Sequence, residues 1–318
     1  MLRALQGLAV GPAHVLVTRG AQLGLYLAAR ALLRPGDRVG VEALGYGPAW
    51  AALASTGAEL VPLALDAEGL VVDALPADLR AIYLTPHHQY PTTVTLPAAR
   101  RLALLRFAAA RRIALIEDDY DHEFHYDGQP VLPLASADPD GVVIHCGTLS
   151  KVFAPGLRVG YVVAPPPVIE AMARWRTVID RQGDALGETA IAELLADGEL
   201  PRHIRRMRRI YQERRGILVD ALRASLPSLA FSVPAGGMAL WARLPGEVDA
   251  DAWAARALAR GVAVQPGSRF AFGGGATAAL RLGFAALPEA GLREAVRRLA
   301  EAAPTRLDAA GDPPASPR

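Results

Sequence analysis

The sequence predicts an α/β protein, a mostly parallel sheet in a large domain followed by a smaller α+β C-terminal domain. Three observations lead there. Seven short apolar, β-branched runs lie before residue 165. Longer segments of helical periodicity separate several of them, the alternation that builds a parallel sheet covered on both faces. After about Pro165 this gives way to two long helical stretches and then a mixture of short strands and helices.

The strands are expected at His14–Thr18, Arg38–Glu42, Glu59–Leu65, Ala81–Thr85, Ile113–Asp118, Val142–Gly147 and Leu157–Ala164, with helices at Ala21–Leu33, Tyr46–Ser55 and Leu96–Arg111 between them. The long helices follow at Pro167–Arg181 and Glu199–Ala224. The smaller domain then alternates strands (Ala230–Val233, Gly237–Arg243, Val262–Gln265, Ala279–Phe284) with helices (Ala250–Arg260, Pro288–Ala302). The expected division is 1–198 for the large domain with its connecting helix and 199–303 for the small one. Residues 304–318, rich in Pro, Ala and Asp without apolar period, are expected to be a disordered tail.

Composition excludes several classes. The 34 basic and 32 acidic side chains leave a net charge of +2, too little for binding nucleic acid by bulk charge. The single cysteine, Cys146, excludes an internal disulfide framework and a Cys-rich zinc site. No apolar run approaches the ~18 residues of a membrane span, and no secretory signal opens the chain, so a cytoplasmic protein without a membrane partner is expected. The Arg-rich stretch Pro201–Arg215 is read as a solvated helix face rather than a DNA contact.

Of the 34 basic residues, 33 are arginine and one is Lys151. Arginine keeps its proton in proteins, whereas lysine can lose it and act as an amine nucleophile. Lys151 closes the stretch VVIHCGTLSK, with hydroxyls at Thr148 and Ser150 beside it and Arg158 seven residues on. An amine at a strand end, beside hydroxyls and a guanidinium, suits a Schiff-base lysine next to a phosphate. A P-loop lysine follows glycine, and Ser150 stands there instead.

The run IALIEDDYDHEFHY places Glu117, Asp118, Asp119 and Tyr120 at another strand end. Adjacent carboxylates there need solvent, a cation or a metal. One of them could keep a heterocyclic nitrogen protonated. Asp119, Asp121, His122, Glu123 and His125 could instead ligate a divalent metal, or the run could be a solvated acidic turn. Upstream, VTRGAQ ends a strand and opens a helix with Gly20, Ala21 and Gln22, an anion cradle by its backbone N–H groups and helix dipole. Tyr46 could lie against a planar ligand. Arg281, in the apolar strand LRLGF, needs an anionic partner, either a substrate carboxylate or a structural acid.

These stretches, with TPHHQYPTT, APGLRVGY and HIRRMRRIYQERR, run in order from about Leu8 to Ala302. Together they resemble the fold-type-I pyridoxal-phosphate (PLP) enzymes, the aspartate-aminotransferase-like superfamily. The resemblance is closest to the aminotransferase-like domain of MocR/PdxR-type regulators of the GntR group. It implies a PLP-dependent transferase fold and pyridoxal 5′-phosphate as cofactor. Lys151 would then be the Schiff-base lysine, Asp118 the partner of the pyridine nitrogen, and Tyr120 a hydrogen-bond donor to the ring hydroxyl. Tyr46 would stack on the ring; Gly20, Ala21, Gln22, Ser150 and Arg158, with Thr148, would hold the phosphate; Arg281 would take a substrate carboxylate. His88, Gln89 and Tyr90 would lie near the ring.

The implied activity is amino transfer between an amino acid or small amine and a 2-oxo acid, with the chain acting as a homodimer and no metal assigned. The alternative is a PLP- or amino-acid-sensing effector domain of a MocR-type regulator. A metal-dependent hydrolase built on the Asp/His run is a third class. The resemblance also carries departures. Thr93 ends PTT where many relatives carry Gly, and both a winged-helix DNA-binding domain and an N-terminal arm are expected to be missing. No direct DNA binding is therefore expected from this chain alone.

Overall fold

The seven apolar runs before residue 165 all become strands of one sheet. The computed structural model describes residues 7–304 apart from 9, 130 and 247. In chain order the strands are β1 (Val15–Thr18), β2 (Arg38–Glu42), β3 (Glu59–Leu63), a small hairpin of β4 (Leu65–Asp66) and β5 (Gly69–Leu70), then β6 (Ala81–Leu84), β7 (Ala114–Asp119), β8 (Val143–Thr148) and β9 (Gly160–Val163). The large sheet has the order β3-β2-β6-β7-β8-β9-β1. Neighbours from β3 to β8 are parallel, while β9 runs antiparallel to both β8 and β1. The carboxyl ends of β1, β2, β6, β7 and β8 therefore share one edge with the start of β9, the edge where open α/β sheets place ligands.

Burial explains the near-continuous apolar runs. Every residue of β6, β8 and β9 is buried. Ile82, Leu84, Leu115 and Val143 pack with Leu104, Leu105 and Ala108 of the helix Ala98–Arg111. The helix Ala21–Leu32 buries Leu25, Leu27, Ala28 and Ala29. It comes so close to the sheet at Gly24 that a Cβ there would lie 2.8 Å from Val162 Cγ2.

The chain divides into two compact units, one through Tyr90 with Val94–Arg208, the other Pro91–Thr93 with the chain from Arg209 on. The division falls inside the long helix Glu199–Ser225, whereas the sequence expectation lay after Gly198. A helix absent from the expectations, Ala185–Ala196, starts at Asp184, whose side chain accepts from the Gly187 N–H at 3.1 Å. Its Ala-rich run buries only Ile191 fully, so no apolar period marks it. The first unit also contains Arg202, Arg205, Arg206 and Arg208, all exposed.

In the second unit, β10 (Ala239–Arg243), β11 (Gln265–Pro266) and β12 (Ala279–Gly283) form an antiparallel sheet of order β10-β12-β11. Trp253 of the helix Ala250–Ala259 is fully buried and donates its indole N–H to Leu299 O of the helix Glu289–Glu301 at 3.0 Å. The expected strand Ala230–Val233 reduces to one bridge, Ala230 opposite Arg243, because Ser232 and Val233 face solvent. Arg214 and Arg215 donate to the carbonyls of Ala285 and Pro234. No helix among the described residues is long and apolar enough to cross a membrane. The expected tail from residue 305 on lies outside the described residues.

Candidate active site

The three consecutive acids of β7 do different work because strand side chains alternate between faces. Glu117 and Asp119 point to one face and Asp118 to the other. Glu117, fully buried, accepts from the backbone N–H groups of Leu134 at 2.7 Å and Ala135 at 3.3 Å, and pairs with His145 Nδ1 at 3.0 Å. Asp119 pairs with His122 Nδ1 at 2.9 Å. Burial raises its pKa, but His87 and His122 outweigh this and hold it well below the usual carboxylate range. All three acids are buried, which excludes the solvated-turn reading.

Glu117→Ala would strand two backbone donors and a histidine inside the sheet. We expect a stability loss of about 3–5 kcal/mol, measured by urea unfolding, because removing one partner of a buried pair leaves the other uncompensated.

Asp118 faces a cavity of about 430 Å³ at the carboxyl edge of the large sheet. Tyr83, on β6, donates its hydroxyl to Asp118 Oδ2 at 2.8 Å, while Oδ1 is buried without a hydrogen-bond partner. Burial pushes the Asp118 carboxyl up to about 6, against the lowering effect of the Tyr83 hydrogen bond, with Asp119 adding to the rise. The same cavity is lined by Ala21, Gln22, Tyr46, Tyr120, Thr148, Ser150, Lys151 and Arg158, which the sequence had singled out from five separate segments.

At one end of the cavity the chain turns through Gly20 at φ +78°, and no side chain caps the helix Ala21–Leu32 that follows. A Cβ on Gly20 would lie 2.8 Å from Arg158 Nη2, so the guanidinium rests against the bare turn. Arg158 itself takes a left-handed backbone, φ +52°, uncommon for a non-glycine residue. Ser150 Oγ is buried without a partner, while the Ser150 N–H donates to Thr148 Oγ1 at 3.1 Å. Gln22 is fixed by its Nε2 donating to Pro48 O at 2.8 Å. Lys151 and Arg158 are exposed, because the connection from β8 to β9 passes outside the sheet edge.

An aromatic wall closes another side. Tyr46 meets Tyr90 edge-on, ring centroids 5.6 Å apart, and Tyr90 meets Tyr120 likewise at 5.8 Å. Tyr90 lines the cavity. Its neighbours turn elsewhere: His88 pairs with Asp121 Oδ1 at 2.8 Å, and Gln89 Nε2 donates to Leu44 O and Tyr90 O, both at 2.7 Å. The Tyr120 hydroxyl donates to His88 O at 3.1 Å.

Sequence reasoning missed Tyr83, Glu42 and Thr85. Glu42, buried at the end of β2, accepts from the Thr85 N–H at 3.0 Å and Oγ1 at 2.9 Å. Burial raises its carboxyl to about 7 despite these hydrogen bonds. Arg281 belongs to the second unit, in mid-β12 between Trp241 and Gln265. It is not among the residues lining this cavity.

Residues 3–299 match the family model for aminotransferase class I and II. The HTH-type transcriptional regulator TauR of Rhodobacter capsulatus is 39% identical over 265 residues, covering 83% of this chain and 55% of TauR. The HTH-type pyridoxine biosynthesis transcriptional regulator PdxR of Corynebacterium glutamicum is 37% identical over 301 residues, covering 95% of this chain and 65% of PdxR. The chain thus spans less than two thirds of either regulator. Among solved structures, LysN, the α-aminoadipate aminotransferase of Thermus thermophilus, was determined in complex with N-(5′-phosphopyridoxyl)-L-leucine. It is 32% identical, with a TM-score of 0.87 over 92% of this chain and 78% of its own. The fold is that of aspartate aminotransferase, and the chain belongs to the aminotransferase class I and II family.

Proposed function

We propose that the chain binds pyridoxal 5′-phosphate at Lys151 and transfers an amino group between an amino acid or small amine and a 2-oxo acid. One observation carries this reading: the chain's only lysine, a buried carboxylate with an unpartnered oxygen and a guanidinium resting on a glycine turn line one cavity. The family uses this cofactor, and the residues present fit it. Gly20, Ala21, Gln22, Ser150 and Arg158, with Thr148, make the phosphate end: a bare turn, a helix start, a free buried hydroxyl and a cation. Asp118 Oδ1 offers an acceptor to a protonated ring nitrogen, and Tyr83 holds the other oxygen still. Tyr46 supplies a ring face, and the Tyr120 hydroxyl would turn from the His88 carbonyl to the ring oxygen.

When bound, the cofactor supplies an electron sink for the bond broken at the substrate Cα. Lys151 would hold the cofactor's aldehyde carbon, and its amine would serve as the base that takes the proton from the substrate Cα. Asp118 would hold the proton on the ring nitrogen. Arg281 is proposed to hold a substrate carboxylate as a bidentate partner. A second copy of the chain is proposed as partner, over the side where Lys151 and Arg158 are open to solvent.

A second reading keeps the same binding residues without turnover: a PLP- or amino-acid-sensing effector domain. The regulators TauR and PdxR, 39% and 37% identical, favour it. The separating experiment supplies the PLP-loaded chain with an amino donor and a 2-oxo acid. Steady formation of new amino acid over many turnovers supports the enzyme. Binding of cofactor with at most one half-reaction supports the sensor.

The phosphate end yields its own prediction. Gly20→Ala places a methyl group against Arg158 on a backbone that L-residues seldom adopt. We expect PLP affinity to fall roughly tenfold or more, since such strain costs on the order of 1–3 kcal/mol. Fluorescence titration checks it. Unchanged affinity would remove the phosphate from this turn.

A further inference from the structure

Four of the chain's seven histidines, His87, His88, His122 and His125, gather inside the first unit. None of them lines the cavity of Lys151 and Asp118. His87 and His88 follow β6, whereas His122 and His125 follow β7. His87 and His88 are each 1% exposed and His125 is 7% exposed. Their rings crowd together, with centroids 4.4 Å apart for His87 and His88, 6.1 Å for His87 and His125, and 6.5 Å for His88 and His125.

Both ring nitrogens of His87 and Nε2 of His88 are buried without a hydrogen-bond partner, and His125 interacts with the backbone at Asp127. Buried polar atoms left unpaired are costly, and so many at one place call for an occupant. His88 Nδ1 is engaged with Asp121 Oδ1 at 2.8 Å. That carboxylate–imidazole pair leaves Nε2 as the nitrogen that can accept a ligand, as outer carboxylates do behind metal-ligating histidines.

We propose that His87, His88 and His125 bind a divalent first-row transition metal, zinc being the expected ion. One donor nitrogen from each lies within 4.8 Å of the others. Zn–N distances of about 2.0–2.1 Å ask only for a modest drawing together of the three rings. Three imidazoles without thiolate suit zinc, nickel or copper rather than magnesium or calcium. The buried carboxylates of Asp119 and Asp121 answer the charge of a dication. A rival set, His87, Asp119 and His122, has the same donor spacing. That set shares a carboxylate and an imidazole already paired with each other, whereas the three-histidine set centres on ring nitrogens buried without a partner.

The role that follows is positional. The metal ties the segment after β6 to the segment after β7, the two that carry Tyr90 and Tyr120. Tyr120 already donates to the His88 carbonyl.

The test uses the full chain with any affinity tag removed, stripped with a chelator and titrated with Co²⁺ alone, then with Zn²⁺. Wild type and Lys151→Ala should both give ligand-field absorption saturating at one Co²⁺ per chain and abolished by Zn²⁺. His125→Asn should lower the affinity at least a hundredfold, and Asp121→Asn by roughly 10–100-fold. Zn²⁺ should raise the Tm of wild type but not that of His125→Asn, which keeps the test readable if His87→Asn fails to fold. Absence of saturable one-to-one binding in wild type would overturn the site. Loss of binding in Asp119→Asn with full retention in His125→Asn would overturn it in favour of the rival set.

Discussion

Lys151→Ala is expected to leave the chain folded but unable to form a borohydride-trappable link to PLP. Lysine is unique here, so the only other primary amine of this chain is its terminal one. Both the anchor and the proton carrier are lost together. A positioned acid–base group alone contributes typically ~10²–10⁴-fold, so amino transfer should drop by at least that factor. Lys151→Arg should be equally inactive, because a guanidinium keeps the charge but can neither give up its proton nor attack a carbonyl carbon. The measurement is a visible spectrum before and after borohydride reduction, followed by peptide mapping of the fixed adduct. An adduct mapped away from Lys151, or activity retained in Lys151→Arg, would refute the assignment. Because fold and cavity do not depend on the ammonium, the variants' Tm without cofactor should stay close to that of wild type.

Asp118→Asn should separate activity from stability in opposite directions. The carboxylate is buried and its pKa is raised from 3.8 to about 6. A group whose folded value exceeds its unfolded value holds its proton longer in the native chain. Its burial thus costs nothing below pH about 4 and the full amount above about 6. At neutral pH that difference corresponds to about 3 kcal/mol of strain on the empty chain. Asparagine removes the charge and can still accept from Tyr83, so the cofactor-free variant should melt at higher temperature than wild type at pH 7.5. The gain should vanish near pH 4. Amino transfer should meanwhile fall by about 10²–10³-fold, the usual scale for removing one aimed electrostatic partner. For the same reason wild-type affinity for PLP should decline as pH falls through about 6, where the empty chain's Asp118 becomes neutral. A variant that is both fully active and unchanged in its melting profile would mean that Asp118 faces no cationic nitrogen.

The large sheet was legible because each strand announces itself in its own residues: runs such as VVIHCGT and AIYL are apolar throughout and bounded by turn formers. Asp118, Thr148 and Gly20 were legible for the same local reason, since each lies at or just past a strand end, whereas Tyr46 opens a helix and Arg281 lies mid-strand. What could not be read were meetings between neighbouring strands. Tyr83 in AIYL looks like a packed aromatic, and only the pairing of β6 with β7, with Tyr83 opposite Ile116, brings its hydroxyl to Asp118. His87 and His88 lie about 35 residues before their acidic and histidine counterparts, so DYDHEFH showed one half of a cluster. The alternation in Glu117–Asp118–Asp119 was available from strand periodicity and would have singled out Asp118 as facing away from its neighbours. The helix Ala185–Ala196 went unread because alanine carries no period, although Asp184 before it is a competent cap.

The reversal of β9 has a consequence for how the protein assembles itself. The strand returns at the edge where β8 leaves, so Lys151 and Arg158 lie on one short excursion of the backbone, seven residues apart. Closing such a loop costs little chain entropy, whereas Gly20 and Asp118 join it only through pairings distant in sequence. During folding the two cations would be neighbours before their glycine turn and their acid arrive.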